Sequence, residues 1–260
     1  MLKNVYRLLI ELTNGKWSSK ILKKFAQSHL SKFIVPSFAK TYKINTNEMA
    51  NPLQTYPTLH DFFIRKLKDN TRPIHSEETS VTSPVDAIIE DIGNIQSDSM
   101  IKVKGKIYSI TEMLGSIEKA APYVNGTYMI FYLSPSHYHR IHSPVNGKVI
   151  DQWELGGKSY PVNKWGLKYG NAPLSKNYRS ITEIDVLGHQ VAVVKVGAMF
   201  VNSIELTHPN ESLLKGRELA YFTFGSTVIL LFQENHFSLL PSIKTPHPIK
   251  MGEKIGEVLS

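Results

Sequence analysis

The chain has 260 residues, 42% hydrophobic and 20% charged, which is a globular composition with room for one large domain or two small ones. It has no cysteine, which excludes a disulfide scaffold, a zinc–thiolate site and a thiol nucleophile and fits a reducing compartment. Of the net charge of +8, +7 falls in residues 1–50, where nine Lys or Arg stand against two Glu, so one end of the molecule is suited to an anionic partner.

The N-terminal stretch carries Arg7 and Glu11 inside its apolar run and has no small-residue cleavage site, so it does not read as a signal peptide. No apolar run approaches the roughly 20 residues that span a bilayer. Leu2, Val5, Tyr6, Leu9 and Leu12 follow helical spacing. A second set, Ile21, Leu22, Phe25, Leu30, Phe33 and Ile34, is interleaved with Lys20, Lys23, Lys24 and Lys32, and Pro36 is expected to end it. Two basic amphipathic helices follow. Their apolar faces either dock on the body or lie on an anionic membrane. With about 1 kcal/mol per basic residue near such a surface, half of the nine would contribute roughly 4 kcal/mol, a thousandfold gain in a reversible attachment. No zinc finger, helix-turn-helix or RNP pattern supports nucleic acid as the partner. Residues 1–45 are therefore expected to form a helical membrane-contact segment and residues 46–260 the catalytic body. A third helix is expected over Thr58–Leu67, with Thr58 and Asp61 as a capping box after Pro57.

From about residue 80 the texture becomes short β-rich runs separated by turns: VTSPVDAIIE, IKVKGKIY, TYMIFYL, GKVIDQW, HQVAVVKV and STVILLF. Ser83-Pro84-Val85-Asp86 and Ser143-Pro144-Val145-Asn146 repeat one turn-then-strand unit, and the C-terminal TPHPIKMGEKIG reads as a loop entering a final strand. The expected fold class is α+β, a β-rich antiparallel sandwich or barrel-like core with weak internal duplication and N-terminal amphipathic helices.

Two places invite chemistry. His137-Tyr138-His139-Arg140-Ile141-His142 ends an apolar strand. His139 and His142 are three apart and point to opposite faces of an extended chain, with no carboxylate at ligand spacing, so no metal is expected. In Phe224-Gly225-Ser226-Thr227, two hydroxyls follow a glycine at the mouth of a buried run. This is either a tight turn or a bend that lets Ser226 act, with a histidine of the cluster taking its proton and Asp86 orienting that ring. A hydroxyl beside the preceding carbonyl can attack its own backbone to give an ester, and elimination across Ser226 then cuts the chain.

These residues resemble the self-cleavage region of phosphatidylserine decarboxylases, in which a G-S-T motif matures into a pyruvoyl enzyme. Tyr138-His139-Arg140-Ile141-His142-Ser143-Pro144 matches the family's Y-H-R-x-H-x-P element, and Ser83-Pro84-Val85-Asp86 its S-P-x-D-G element. Phe62-Phe63-Ile64-Arg65-Lys66-Leu67 with Arg72-Pro73, and the run from Val196 to Ile204, match two more in the family's order. Ala87, Ala220 and Asn202 stand where the family commonly has glycine, which touches local backbone geometry more than the chemical groups.

The resemblance implies that Asp86, His142 and Ser226 form a maturation triad. His142 takes the Ser226 proton, the hydroxyl attacks the Gly225 carbonyl, and elimination leaves a β chain of 1–225 and an α chain of 226–260. The first residue of the α chain passes through dehydroalanine, loses ammonia and becomes the pyruvoyl cofactor. That ketone forms a Schiff base with phosphatidylserine and accepts electrons as CO₂ leaves, giving phosphatidylethanolamine. His139 is the candidate for the proton transfer of that step. Arg140 reads as an ion-pair partner, with lipid phosphate as the alternative. Further implications are a peripheral protein on the cytoplasmic side of the cell membrane, association of its own α and β chains, and room for homo-oligomers. Two other readings remain open: a serine hydrolase using Asp86, His142 and Ser226 without self-cleavage, although a G-x-S-x-G elbow is absent, and a noncatalytic membrane-associated β module.

Overall fold

The computed structural model describes residues 16–160, 162, 172–198, 204–207, 212–223 and 226–259, with side chains of the first helix from residue 21. The expected helix over residues 2–12, Phe224-Gly225 and the stretch 199–203 with Asn202 lie outside the described residues.

Helix α1 (Lys16–Gln27) leads into a 3₁₀ turn (His29–Ile34) and then α2 (Val35–Thr41). Pro36 sits in the first turn of α2, so it starts a helix instead of ending one. That position has no intrahelical use for the N–H that proline lacks, and its φ is already helical. Helix α3 (Leu59–Phe63) is capped as expected, Thr58 Oγ1 accepting from Asp61 N–H at 3.0 Å, but it stops four residues short of Leu67. Ala26, Val35, Phe38, Met49, Tyr56, Leu59, Phe62 and Phe63 form the core of this helical layer.

The strands are β1 (Ser80–Thr82), β2 (Ala87–Asn94), β3 (Met100–Val103), β4 (Lys106–Ser109), β5 (Thr127–Leu133), β6 (Arg140–His142), β7 (Gly147–Leu155) and β8 (Arg179–Val186). They continue as β9 (His189–Gly197), β10 (Ile204–Leu206), β11 (Ser212–Leu213), β12 (Glu218–Phe222), β13 (Ser226–Phe232), β14 (Phe237–Leu239), β15 (His247–Ile249) and β16 (Lys254–Val258). An eight-stranded antiparallel sheet runs β11-β7-β8-β9-β13-β5-β2-β15. Two three-stranded sheets, β1-β16-β14 and β10-β12-β6, cover one of its faces around Val85, Phe131, Ile141, Phe222 and Leu230. The β3–β4 hairpin and short helices bury the other face around Tyr108, Ile130, Val194 and Ile229. The core is thus antiparallel and β-rich, with the N-terminal helices as a separate layer. Strand β13 is central and buried on both faces, which is why its sequence is a continuous apolar run without alternation.

The internal duplication is explicit in the hydrogen bonds. Ser83 Oγ donates to Val85 O and Ser143 Oγ to Val145 O, each at 2.7 Å. The two turns also bond each other: Thr82 N–H donates to Pro144 O at 2.9 Å and His142 N–H to Pro84 O at 2.8 Å. Each turn receives a glycine N–H, from Gly252 to Ser83 O at 3.0 Å and from Gly216 to Ser143 O at 2.8 Å. Both glycines have left-handed φ, +88° and +81°. A Cβ at Gly216 would lie 2.6 Å from the Ile74 side chain, and one at Gly252 2.6 Å from Pro73 O. Glycine is required twice, and both copies pack on the segment that follows Arg72.

Candidate active site

Ser226 opens β13, opposite Leu133 on one side and Gly197 on the other. Strand β12 belongs to a different sheet, so the chain changes sheets between Phe222 and Ser226, and the expected cleavage point falls in that crossing. Ser226 is fully buried, and among the described residues its Oγ has no hydrogen-bond partner; Thr223 Oγ1 and Thr227 Oγ1 have none there either. A buried unpaired hydroxyl costs about 1–3 kcal/mol, and three within five residues call for a chemical reason.

His139 immediately precedes β6 and His142 is its last residue. Phe222 N–H donates to His139 O at 2.9 Å, whereas His142 is paired with Glu218, further back along β12. The register therefore sets His139, and not His142, beside the point where the chain leaves β12 for Ser226. The His139 ring is fully buried. Its Nδ1 donates to His137 O at 2.9 Å, and among the described residues Nε2 has no partner. Burial, then the charges of Arg65 and His137, hold its pKa well below the usual histidine value. His142 Nδ1 donates to Gly216 O at 2.8 Å, and its Nε2 lies 3.3 Å from the Tyr138 hydroxyl. Burial lowers its pKa too, against the opposing effects of the Gly216 carbonyl and Glu218. Both rings are thus uncharged at neutral pH and keep Nε2 as the accepting nitrogen, the state a general base needs.

Asp86 is held by Arg72, whose Nε donates to Oδ1 at 2.8 Å and Nη2 to Oδ2 at 2.6 Å, while Met251 N–H donates to Oδ1 at 2.9 Å. Arg72 Nη2 also reaches Glu48 at 2.8 Å. Burial opposes the arginine's charge, but hydrogen bonds and charges from Asp86 and Glu48 outweigh it and raise its pKa. The second turn copy has the same backbone bond, Lys215 N–H to Asn146 Oδ1 at 2.8 Å. What sets Asp86 apart from Asn146 is its charge and the fork that grips it. Among the described residues no hydrogen bond joins Asp86 to His142 or His142 to Ser226. Arg140 is an ion-pair partner, Nη1 bonding Glu218 at 2.7 Å. Ala87 and Ala220 are buried and fit within their strands.

Three basic residues near these groups carry no assigned role in the sequence reading. Arg65 and Arg72 stand inside motif stretches, but the partners that explain them lie 71 and 14 residues away. Lys195 interrupts an apolar strand, the one local sign that could have drawn attention to it. It is fully buried on β9 opposite Val228, on the sheet face that carries Ser226. Its Nζ donates to Thr182 Oγ1 at 2.6 Å, and burial drops its pKa to about 7, against a pull upward from Glu154.

Among the described residues the Ser226 hydroxyl and the His139 Nε2 are both buried and without a hydrogen-bond partner. The family model for phosphatidylserine decarboxylase matches residues 59–257. The chain is 60% identical over 256 residues to a phosphatidylserine decarboxylase proenzyme of Geobacillus sp. (strain WCH70), covering 98% of this chain and 99% of that protein. The proenzyme of Geobacillus kaustophilus (strain HTA426) is 58% identical, covering 98% and 97%. That of Bacillus thuringiensis (strain Al Hakam) is 53% identical over 260 residues, covering 100% and 99%. Matched along nearly its whole length, the chain belongs to the phosphatidylserine decarboxylase family.

Proposed function

We propose that the chain is a proenzyme that cuts itself between Gly225 and Ser226 and then decarboxylates phosphatidylserine to phosphatidylethanolamine. The observation that carries this reading is Ser226, a fully buried hydroxyl without a partner among the described residues, at the first residue of a central strand. Its Oγ attacks the Gly225 carbonyl, and the proton goes to a neutral imidazole. By family resemblance that imidazole is His142, with Asp86 orienting it and His139 moving a proton in the later step. A second assignment, His139 as the base of self-cleavage, is favoured by its free Nε2 and by its register beside Phe222. A pyruvoyl ketone at position 226 supplies the electron sink for loss of CO₂. Denaturing electrophoresis and mass spectrometry of the purified protein test the reading. Two fragments meeting at 225/226 are expected, the smaller with no free N-terminal amine. An intact chain at Ser226 overturns it and favours the hydrolase or the noncatalytic β module.

The substrate is a lipid, so the catalyst must sit on its surface. We place that contact on the helical layer, where Leu30 is 68% and Phe33 84% exposed beside the exposed Lys24 and Lys32. Lys24→Glu with Lys32→Glu is expected to weaken co-sedimentation with anionic vesicles by about 30-fold or more, at about 1 kcal/mol for each lysine contribution lost. Unchanged binding would remove this segment from the interface.

A further inference from the structure

The strand end that carries the histidines is gripped from the helical layer by Arg65. This residue follows α3 and is 4% exposed. Its Nη2 donates to the carbonyl oxygens of Ser136 and His137, both at 3.0 Å. Nη1 lies 3.5 Å from Phe62 O, and the guanidinium carbon stands 5.3 Å from the centre of the Phe62 ring. No carboxylate hydrogen-bonds the guanidinium among the described residues, and Nε has no partner. An arginine placed this way is expensive to bury, and its pKa falls to about 10 through burial. Its position is nevertheless tightly held. Arg140 reaches back to Ile64 O through Nε at 3.2 Å and Nη2 at 3.1 Å, and the Phe63 ring packs on His139 with centroids 4.0 Å apart.

One oxygen links the two side chains. His137 O accepts both from Arg65 Nη2 at 3.0 Å and from His139 Nδ1 at 2.9 Å. A carbonyl only accepts, so the proton of the neutral His139 ring sits on Nδ1 and the lone pair on Nε2. Nε2 is buried and unpartnered. The charged or titratable side chains facing this ring among the described residues are Arg65, from the end of α3, and His137, from its own loop. Phe63 covers the ring from α3, and β12 meets the His139 backbone carbonyl through Phe222 N–H. A second proton on His139 would therefore face the Arg65 cation in a dry site.

We propose that Arg65 is a positioning residue for His139: through the shared His137 carbonyl it fixes the ring as the Nδ1–H tautomer and leaves Nε2 as the free base. This rests on the reading that His139 moves a proton in the reaction. Among the described residues Arg65 makes no hydrogen bond to Ser226; it acts through the ring.

The test uses the full chain as wild type, Arg65→Met and Arg65→Lys, with ¹⁵N-labelled histidine. The wild-type His139 nitrogens should report a single Nδ1–H tautomer that stays uncharged well below the pH at which an ordinary histidine titrates. In Arg65→Met both tautomers should appear and the ring should titrate at least one pH unit higher. Turnover of phosphatidylserine vesicles should fall 10–100-fold in kcat with KM changed less than threefold. Its acid limb should move to higher pH with the ring, because a base that protonates more easily is lost earlier on acidification. Arg65→Lys keeps the charge and loses the fork. Its ring should still titrate low while the tautomers mix, and this variant decides the matter if Arg65→Met does not fold. Nitrogen shifts and titration unchanged from wild type in a folded variant overturn the proposal. A shifted ring with an unmoved acid limb leaves Arg65 coupled to His139 and removes His139 from the proton transfer.

Discussion

Ser226→Ala is expected to give a single chain of 29.4 kDa with no decarboxylase activity, as well folded as the parent. The loss is complete because the hydroxyl has two uses in sequence: as the nucleophile that cuts the chain, and as the source of the ketone on which turnover depends. Without it there is neither. The structure also predicts that inactivity will not come from misfolding. Ser226 Oγ has no partner to lose, so its removal relieves a buried unsatisfied group. Stability should stay level or rise by up to about 1 kcal/mol. The thermal midpoint of Ser226→Ala, read beside that of an uncut histidine variant, checks this. Decarboxylase activity in this uncut chain would overturn the pyruvoyl reading.

The same gel separates the histidines. Removing a general base costs about 10²–10⁴-fold. His142→Ala should then leave the chain whole for many half-times of wild-type maturation, while His139→Ala should cut normally and turn over slowly. The reverse pattern assigns the cutting base to His139, which the β6–β12 register favours. Asp86→Asn adds a distinct result. It keeps the shape and the acceptor for Met251 N–H but leaves Arg72 with one carboxylate, Glu48, instead of two. Slow cutting in this variant would show that the charge of Asp86 matters beyond the turn it shares with Asn146.

Each β run read from the sequence holds strand, two of them as a pair of strands joined by a turn, and the reason is local. Residues 226–232 are buried on both faces and so wholly apolar in their second half, while the S-P-V turns encode their own Oγ-to-carbonyl bonds. The helix over Thr58–Leu67 was legible at its cap and not at its end. Arg65 leaves the helical path to reach carbonyls 71 and 72 residues further on, a tertiary demand with no local trace. The site divides the same way. Ser226, His139, His142 and Asp86 stand in recognisable motifs, but the contacts that set their states join residues far apart in sequence. Asp86 is bonded by Met251, 165 positions away, and His142 by Gly216, 74 away. A triad drawn from family resemblance therefore names the groups and misses that Arg72, Tyr138 and Gly216 bond Asp86 and His142 in the uncut chain.

Lys195→Met is expected to stabilise the uncut chain at pH 7 by on the order of 4 kcal/mol, with the gain fading as pH approaches that of a free lysine. Lys195 is fully buried in a β-sheet position, with Thr182 Oγ1 at 2.6 Å and Val193 O at 3.5 Å as its hydrogen-bond acceptors. An ammonium has three protons to place and finds too few acceptors, so burial pulls the pKa from 10.5 to about 7. Between those values the unfolded chain binds a proton that the folded chain does not, so folding stability rises with pH across the window. Below about pH 7 the full cost is present, about 1.36 kcal/mol for each unit of difference; above about 10.5 it is gone. Methionine fills a similar volume, has no charge to bury and abolishes that slope. Urea unfolding in the Ser226→Ala background keeps one intact chain throughout and reads both numbers, the midpoint at pH 7 and its change up to pH 10. Equal midpoints at pH 7, or parallel pH profiles, would mean that the Lys195 ammonium is matched by an acceptor and sits in the sheet at its ordinary pKa. A gain confined to the lower end of the window would mean that the chain carries a costly amine on the very face of the sheet where Ser226 begins its strand.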